Sequence, residues 1–203
     1  MKEIVVASGN RGKVAEIAAA LAGLPVKVLA LGDFGPVAEP EETGGTFEAN
    51  ARIKAAYYAD WTGKPCLADD SGLEVDALQG APGVYSARYA GPGATDSLNN
   101  QKLLAQMAKV PDDKRTARFR CVLVYSDPRG SELTAEGTCE GILLHTPRGA
   151  GGFGYDPLFY LPALGKTLAE MPLTEKNKAS HRGQALRNMA DKLARYIHED
   201  RRD

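Results

Sequence analysis

Leu67-Ala68-Asp69-Asp70-Ser71-Gly72 is the stretch around which this chain is organised. Two adjacent carboxylates follow the short apolar run that starts at Pro65, and the Ser-Gly pair after them predicts a turn. A strand that delivers acidic groups into a turn places charge at the rim of a sheet, where a metal ion or a phosphate can reach it. An Asx turn that closes a strand is the alternative, and the hexapeptide alone does not decide between the two.

The composition limits the classes of protein to consider. A chain of 203 residues is long enough for one large or two-lobed domain with a substantial core. The formal net charge of −1 gives no general reason to expect a nucleic-acid or a membrane partner. Three cysteines without a CxxC pair favour a reduced, cytoplasmic setting. We expect neither a signal peptide nor a membrane span, since no apolar run approaches roughly 20 residues.

A glycine-bearing turn lies near the N-terminus. Ile4 to Ala7 predicts a buried strand, the turn Ser8-Gly9-Asn10-Arg11-Gly12-Lys13 follows at once, and a helix with apolar residues at Val14, Ile17 and Leu21 comes next. This arrangement directs backbone N–H groups and a helix N-terminus at an anion, and Lys13 adds a positive charge. The turn does not match a Walker A loop. A tight strand-to-helix connection is the alternative.

An acidic loop precedes the second predicted helix. Glu39 to Gly45 forms the loop, and Thr46 is a plausible N-cap for a helix that runs to about Trp61. Asn50 and Lys54 are four residues apart and share a face of this helix. Its apolar face is predicted to consist of Ala49, Ile53 and Ala56. An ordinary solvated face is the alternative for Asn50 and Lys54.

Strand patterns dominate the region that follows. After a helix from Thr95 to about Lys109, three strand segments are predicted to form an antiparallel meander. They are Ala117 to Tyr125, Glu132 to Ala135, and Gly137 to Leu144.

A second glycine-rich loop contains bulky residues. Gly149 to Pro157 places four glycines around Phe153, Tyr155 and Asp156. Glycine permits the close approach of backbone to a ligand, and we expect Phe153 or Tyr155 to be free to stack on a base. A flexible loop is the alternative, but a spacer would be polar.

The last predicted helix begins after Ser180, a reasonable N-cap, and its buried stripe comprises Leu186, Met189, Leu193 and Ile197. His181 and Arg182 then fall in the first turn. Cations at a helix N-terminus are unfavourable by a few tenths of a kcal/mol, which suggests a role facing a ligand. Surface solubility is the alternative for a single arginine.

Together these features predict a nucleoside-triphosphate site. Carboxylates can hold a divalent cation, basic residues can hold phosphates, and an aromatic slot can hold a base. Because no His or Cys lies at ligand spacing, the carboxylates favour Mg²⁺ first and Mn²⁺ second. No Ser-His-Asp or Cys-His arrangement is indicated, so attack by an activated water is preferred over a covalent intermediate.

Several motifs resemble those of the inosine/xanthosine triphosphate pyrophosphatases, and they run in family order from Val5 to about Ala190. They are SGNxGK at Ser8 to Lys13, EETGxTFxxNAxxKA at Glu41 to Ala55, ADDSGLxVDxLxGxPGxYSARY at Ala68 to Tyr89, GGFGYDPxF at Gly151 to Phe159, and SHRGQAL at Ser180 to Leu186.

This resemblance implies Mg²⁺-dependent hydrolysis of non-standard purine triphosphates (ITP, dITP, XTP) to the monophosphate and pyrophosphate, which cleanses the nucleotide pool. It also implies an α/β fold, in which helices flank an elongated mixed β-sheet. Residues 1–203 would form a single two-lobed domain with the active cleft between the lobes. The family is usually homodimeric.

The resemblance also implies roles for individual residues. Asp70 would be the base that activates water, and Glu41 and Asp70 would hold Mg²⁺. Ser8, Gly9, Asn10, Arg11, Gly12, Lys13 and Lys54 would lie near the triphosphate, with Ser71 beside the substrate. The nucleoside and its base would be framed by Phe153, Gly154, Tyr155, Asp156, Lys176, His181 and Arg182. In an extended strand Asp69 and Asp70 point to opposite faces, so both can reach the metal only if the chain turns there.

Two other functions remain open from the residues alone. One is a nucleotide-binding or regulatory module that lacks turnover, although a pure polyanion site gains little from added carboxylates. The other is a phosphatase or pyrophosphatase of a different nucleotide, such as dUTP, TTP or a modified pyrimidine triphosphate.

Overall fold

A seven-stranded mixed sheet organises the chain. In the computed structural model, residues 1–199 are described, apart from the side chain of Arg11. The strand order is β2-β1-β3-β4-β5-β6-β7. β1 pairs parallel with β2 and β3, whereas β6 pairs antiparallel with β5 and β7. The predicted α/β class with a mixed sheet is therefore confirmed.

The elements have the following bounds. The strands are β1 (Lys2–Val6), β2 (Val26–Ala30), β3 (Cys66–Val75), β4 (Thr116–Ser126), β5 (Glu132–Leu143), β6 (Phe159–Leu161) and β7 (Lys166–Thr167). The α-helices are α1 (Arg11–Leu21), α2 (Phe47–Thr62), α3 (Asp96–Met107), α4 (Leu173–Ala179) and α5 (His181–Glu199). None of the helices within residues 1–199 combines the length and apolar character that a membrane span requires.

The chain divides into two compact units. The first comprises residues 1–70, 121–137 and 185–199, and the second comprises residues 71–120 and 138–184. Strands β3, β4 and β5 each contribute residues to both units. That the whole chain acts as one two-lobed domain stays a prediction.

The core of the first unit is built on β1 and α5. Ile4 and Val6 are fully buried, as the continuous apolar run predicts. The predicted stripe of α5 is confirmed, since Leu186, Met189, Leu193 and Ile197 are all at most 6% exposed. This stripe packs in the same cluster as β1, so the C-terminal helix closes the core that begins at the N-terminus.

The second unit has a core of its own. α3 contributes Leu103 and Met107, and the start of β4 contributes Phe119. The Phe119 ring lies 4.7 Å from that of Phe159 on β6. Aromatic pairs at this separation add to the burial of their apolar area, so the pair fixes β4 against the glycine-rich segment that leads into β6.

Two predictions about elements are wrong. Two strand segments were predicted between Glu132 and Leu144, but β5 is one strand, because Ala135, Gly137 and Cys139 alternate as buried positions through the supposed break. The predicted apolar face of α2 is also misplaced, since Ala56 is exposed. The face that is buried comprises Phe47, Asn50, Ala51, Ala55, Tyr58 and Ala59.

Candidate active site

Asp70 lies inside strand β3, and not at a turn as predicted. Apolar residues on either side enter the two cores, Leu67 in the first unit and Leu73 and Val75 in the second. The strand therefore continues through Ser71 and Gly72, and both the predicted turn and the alternative Asx turn are wrong.

The Asp70 carboxylate is held by two side chains from one face of α2. Lys54 Nζ lies 3.3 Å from Oδ1, and Asn50 Nδ2 donates to Oδ2 at 3.3 Å. The i,i+4 spacing of α2 brings both groups to the same carboxylate, so the shared face is confirmed. Asn50 is fully buried, which excludes an ordinary solvated face at that position. Burial raises the pKa of Asp70, although Lys54 works in the opposite direction.

Asp69 has a different partner. Its carboxylate accepts from Lys13 Nζ at 2.9 and 3.2 Å, and the residue is 5% exposed. Neighbouring side chains on an extended strand point in opposite directions, which agrees with the separate partners of Asp69 and Asp70. Asp69 therefore fixes the ammonium group of Lys13 at the start of α1.

The glycine turn caps its own helix. α1 begins at Arg11, and the side chain of Asn10 accepts from the backbone N–H groups of Gly12 and Lys13 at 2.9 and 3.2 Å. The backbone N–H of Asn10 donates to Ser8 Oγ at 3.1 Å. Three of the N–H groups that were predicted to face an anion thus have acceptors within the turn. The Lys13 ammonium group and the side-chain amide Nδ2 of Asn10 are further donors at this helix start.

The acidic loop is tied to the same cluster through Glu42. The Glu42 carboxylate lies 2.9 Å from Lys54 Nζ. Burial on its own would lower the pKa of Lys54, but attraction to Asp70 and the hydrogen bond with Glu42 outweigh it and raise that pKa. Gly44 N donates to Asn50 Oδ1 at 2.8 Å, and a Cβ at Gly44 would lie only 2.6 Å from that oxygen. Asn50 therefore joins the acidic loop to Asp70.

Glu41 is not brought into this cluster by any described contact. It is exposed, and its carbonyl accepts from Thr43 N at 3.1 Å. Within residues 1–199 no group of three or more His, Cys, Asp or Glu side chains is placed so that it could hold a metal ion. Metal binding by Glu41 and Asp70 remains a prediction.

A second cluster surrounds Phe153 in the other unit. Its side chain stands in the loop between β5 and β6, and the residue is 53% exposed. Lys176 Nζ lies 4.7 Å from the centre of the ring, and Arg182 Cζ lies 5.7 Å from it. Both distances are typical of cation–π interactions. The exposed ring and its two cations could receive a flat, electron-rich group such as a purine base.

Asp156 orders this loop from inside. It is 3% exposed, forms an ion pair with Lys176, and its Oδ2 accepts from Phe153 N at 2.9 Å. Gly152 has φ +74°, and a Cβ there would collide with the Asp156 carboxylate. Only glycine fits at that position, so the close packing around Asp156 accounts for part of the glycine content of the loop.

Of the two rings that were predicted as stacking candidates, Phe153 is exposed and Tyr155 is not. Tyr155 is 3% exposed within the core of the second unit, and its hydroxyl donates to Ser86 O at 2.8 Å. A buried tyrosine needs a partner for its hydroxyl, and this one has it in the neighbouring loop. Tyr155 anchors the loop and leaves Phe153 as the aromatic surface.

The first turn of α5 is buried. Ser180 Oγ accepts from Gly183 N at 3.1 Å, as the predicted N-cap requires. His181 and Arg182 are each 6% exposed, so the solubility alternative is wrong. The His181 ring stacks on the ring of Phe119, with 4.8 Å between the ring centres. Arg182 Nη2 donates to Ser71 Oγ at 3.2 Å. Ser71 follows Asp70 directly in β3, so the chain itself joins the two clusters.

Two features of the site were missed by the sequence analysis. The short helix α4 carries Lys176, and the sequence signal for it was Pro172, which is the N-cap residue of this helix and has a fixed φ that is compatible with a helix start. The second is the double role of Asn50, which the i,i+4 spacing placed on the correct face without revealing its partners.

The sequence model of the Ham1 family matches residues 4–192. This chain belongs to the Ham1 family. The dITP/XTP pyrophosphatase of Geobacter sulfurreducens is 54% identical over 193 residues, which make up 95% of this chain and 97% of that protein. The dITP/XTP pyrophosphatase of Escherichia coli O157:H7 is 51% identical over 197 residues, and the match covers 95% of this chain and 98% of that protein.

Solved structures of Ham1 proteins share this fold. A HAM1 protein from Coxiella burnetii has a TM-score of 0.89 and 47% identity, and the match covers 95% of this chain and 98% of that one. The Ham1 protein of Staphylococcus aureus has a TM-score of 0.88 and 41% identity, with the same coverage. The resemblance drawn from the motifs is thereby confirmed.

Proposed function

We propose that this Ham1 chain hydrolyses non-standard purine nucleoside triphosphates (ITP, dITP and XTP) to the nucleoside monophosphate and pyrophosphate. Such an activity removes these nucleotides from the cellular pool. The observation that carries the proposal is identity of 51% to 54%, over nearly the full chain, with relatives named dITP/XTP pyrophosphatases. The two side-chain clusters supply the chemistry that this reaction needs.

Asp70 is the proposed catalytic base. Burial raises the pKa of its carboxyl, which makes the carboxylate a better proton acceptor, and Lys54 and Asn50 hold its two oxygens. Asp70 takes a proton from a water molecule whose oxygen attacks the α-phosphorus. The bond from this phosphorus to the oxygen that bridges it to the β-phosphorus breaks, and pyrophosphate leaves with that oxygen.

The carboxylates around Asp70 fit Mg²⁺ in their chemistry. Mg²⁺ prefers oxygen ligands and commonly uses one or two carboxylates together with substrate phosphates, so a pair of protein ligands suffices. Glu41 and Asp70 would hold the ion, and Mn²⁺ would be able to replace it. Bound there, the metal would neutralise charge on the phosphates and polarise their oxygens. Lys54 contributes positive charge to the same place.

The start of α1 is proposed to bind the triphosphate, through the turn formed by Ser8, Gly9, Asn10, Arg11, Gly12 and Lys13. Lys13 is held by Asp69 and offers a fixed positive charge. Because Asn10 Oδ1 caps the helix, the amide Nδ2 is the part of this side chain that can donate to a phosphate oxygen.

The Phe153 cluster is proposed to bind the base. Phe153 offers a stacking surface, and Arg182, Lys176 and His181 supply or position donors. Hypoxanthine and xanthine carry an acceptor oxygen at position 6, where adenine carries an amine. A site that donates to this oxygen leaves its donors unpaired with adenine, which costs about 1–3 kcal/mol for each group. Tyr155 and Asp156 act through the loop backbone.

We also propose a cytoplasmic homodimer, as the resemblance implies. Burial raises the pKa of Cys66 to about 12 and that of Cys139 to about 11, so neither thiol is reactive at neutral pH. Such thiols suit a reducing compartment. Sedimentation equilibrium of the full chain measures the mass directly, and a monomer mass across the micromolar range would refute the dimer.

The proposed function is tested with a panel of nucleotides. The chain is incubated with Mg²⁺ and ITP, dITP, XTP, dUTP, GTP or ATP, and pyrophosphate and orthophosphate are measured separately. We expect pyrophosphate from ITP, dITP and XTP at rates far above those for ATP and GTP. Preference for dUTP would indicate a pyrimidine enzyme, binding without turnover would indicate a regulatory module, and orthophosphate alone would mean cleavage at the γ-position.

A further inference from the structure

Gly154, the residue after Phe153, is fixed by two side chains from α3. Its backbone N–H donates to Asp96 Oδ2 at 2.7 Å, and its carbonyl accepts from Asn100 Nδ2 at 2.9 Å. Asp96 and Asn100 are four residues apart and therefore lie on one face of the helix. Both polar groups of a single loop residue are thus bound by a matched donor and acceptor.

Neither contact with Gly154 is needed to cap α3, although the Asp96 carboxylate in the first turn also interacts favourably with the helix dipole. Thr95 already caps the helix, since its Oγ1 accepts from Leu98 N at 3.3 Å. Among the described residues, the Oδ1 atom of Asn100 is buried and has no hydrogen-bond partner. A buried unsatisfied acceptor is unfavourable, so the contact that Asn100 does make with Gly154 is the one that accounts for its orientation.

The exposed ring of Phe153 depends on this backbone. The ring is only partly covered by its neighbours, so its position follows from where the loop backbone is held. Asp156 binds the backbone N–H of Phe153, and α3 binds both backbone polar groups of the next residue, Gly154. A shift at Gly154 would therefore move the stacking surface relative to Lys176 and Arg182.

We propose that Asp96 and Asn100 are positioning residues for base recognition. They clamp the backbone of Gly154 and thereby fix the position of the Phe153 ring relative to Lys176 and Arg182. This inference rests on the proposed nucleotide substrate. Neither residue touches the base or the phosphates in this proposal, and so both are expected to affect binding of the nucleoside more than the chemical step.

Three variants at Asp96 and Asn100 test the clamp on Gly154. Asp96→Ala removes the acceptor for Gly154 N, whereas Asp96→Asn keeps an oxygen there and should restore the contact. Asn100→Asp places an oxygen opposite the Gly154 carbonyl and should repel it. We expect Asp96→Ala and Asn100→Asp to raise KM for ITP about five- to tenfold, with kcat within about twofold of the parent. Asp96→Asn should have a KM for ITP and a kcat close to those of the parent.

Hydrogen exchange at the Gly154 amide gives a readout that does not depend on activity. Exchange should accelerate in Asp96→Ala and remain slow in Asp96→Asn. The control is Gln101→Ala on the same helix, which loses only a 3.3 Å contact with Ser97 Oγ. Thermal melting of each variant identifies any that fails to fold.

The outcomes separate the two proposals. An active parent enzyme with unchanged KM in all variants, or an equal loss of kcat, would overturn the positioning role. If the parent does not release pyrophosphate from ITP, the proposed function fails and base recognition fails with it. The exchange rate at Gly154 would still decide whether the clamp exists.

Discussion

Two neighbouring aspartates in β3 have separate tasks at the scale of single residues. Asp70 is held by Lys54 and Asn50 from α2, whereas Asp69 is held by Lys13 at the start of α1. The alternation of an extended strand separates two carboxylates that are adjacent in sequence. One is thereby available to handle a proton, and the other fixes a cation.

Replacing Asp70 by asparagine tests this division. Asp70→Asn keeps the shape of the side chain but removes the proton acceptor, so kcat for ITP should fall at least ~10²-fold. Asp69→Asn is the matched variant. It weakens the hold on Lys13 and should mainly raise KM. Steady-state kinetics at saturating Mg²⁺ distinguish them, and a near-normal kcat for Asp70→Asn would remove Asp70 from the role of base.

Arg182 provides a test of base selectivity. Arg182→Ala removes a buried donor beside Phe153 and Ser71, so it should erode the preference for ITP over ATP by about 5- to 100-fold in kcat/KM. The preference should fall because ITP loses a hydrogen bond that ATP does not make. Arg195→Ala, at an exposed position of the same helix, is the control. Equal losses for ITP and ATP would contradict the assignment.

At the scale of elements, one buried carboxylate joins the turn between β4 and β5 to α5. Asp127 is 3% exposed, and Arg129 donates to it through Nε and Nη2 at 3.1 and 2.9 Å. The hydroxyls of Tyr125 and Tyr196 also donate to it, at 3.3 and 3.2 Å. Burial opposes ionisation, but the contacts with Arg129 outweigh it and hold the pKa of Asp127 well below its usual range.

This arrangement predicts a pH dependence of stability. The pKa of Asp127 is lower in the folded than in the unfolded chain. The contribution of its ionised form to the free energy of unfolding is therefore complete above the unfolded pKa of about 3.9, and it is lost as pH falls from there towards the lower pKa of the folded chain. Asp127→Asn should lower the free energy of unfolding by about 1–3 kcal/mol at pH 7. The difference from the parent should shrink as pH falls below about 4. Urea unfolding at pH 7 and at pH 3 measures both.

A second variant controls that experiment. Asp113 is exposed in a short turn, so Asp113→Asn should leave the free energy of unfolding within about 0.5 kcal/mol of the parent at both pH values. A difference between Asp127→Asn and the parent that stays constant with pH would mean that the ionised form of Asp127 is not what stabilises the turn.

At the scale of the whole molecule, the sequence predicted what local periodicity controls. The strand at the N-terminus, the caps at Thr46 and Ser180, and the buried stripe of α5 follow from patterns within a few residues. The motifs and their order also identified the family.

What the sequence could not give depends on contacts between distant segments. Which aromatic ring is exposed for stacking depends on a distant contact. The hydroxyl of Tyr155 donates to the carbonyl of Ser86, 69 residues away, and the ring of Phe153 is left exposed. Whether Asp69 and Asp70 share a ligand is decided by which helices pack beside β3. The turn predicted after Asp70 is absent for the same reason. Leu73 and Val75 are buried in the core of the second unit, and no pattern within a few residues of Asp70 indicates this core.

The central claim is that water attacks the α-phosphorus of a non-standard purine triphosphate and releases pyrophosphate. Hydrolysis of ITP in ¹⁸O-labelled water, with the products resolved by ³¹P NMR and mass spectrometry, tests it most directly. We predict IMP and pyrophosphate as the products, with one ¹⁸O atom in the phosphate of IMP and none in pyrophosphate. Labelled pyrophosphate, or IDP with labelled orthophosphate, would contradict the account.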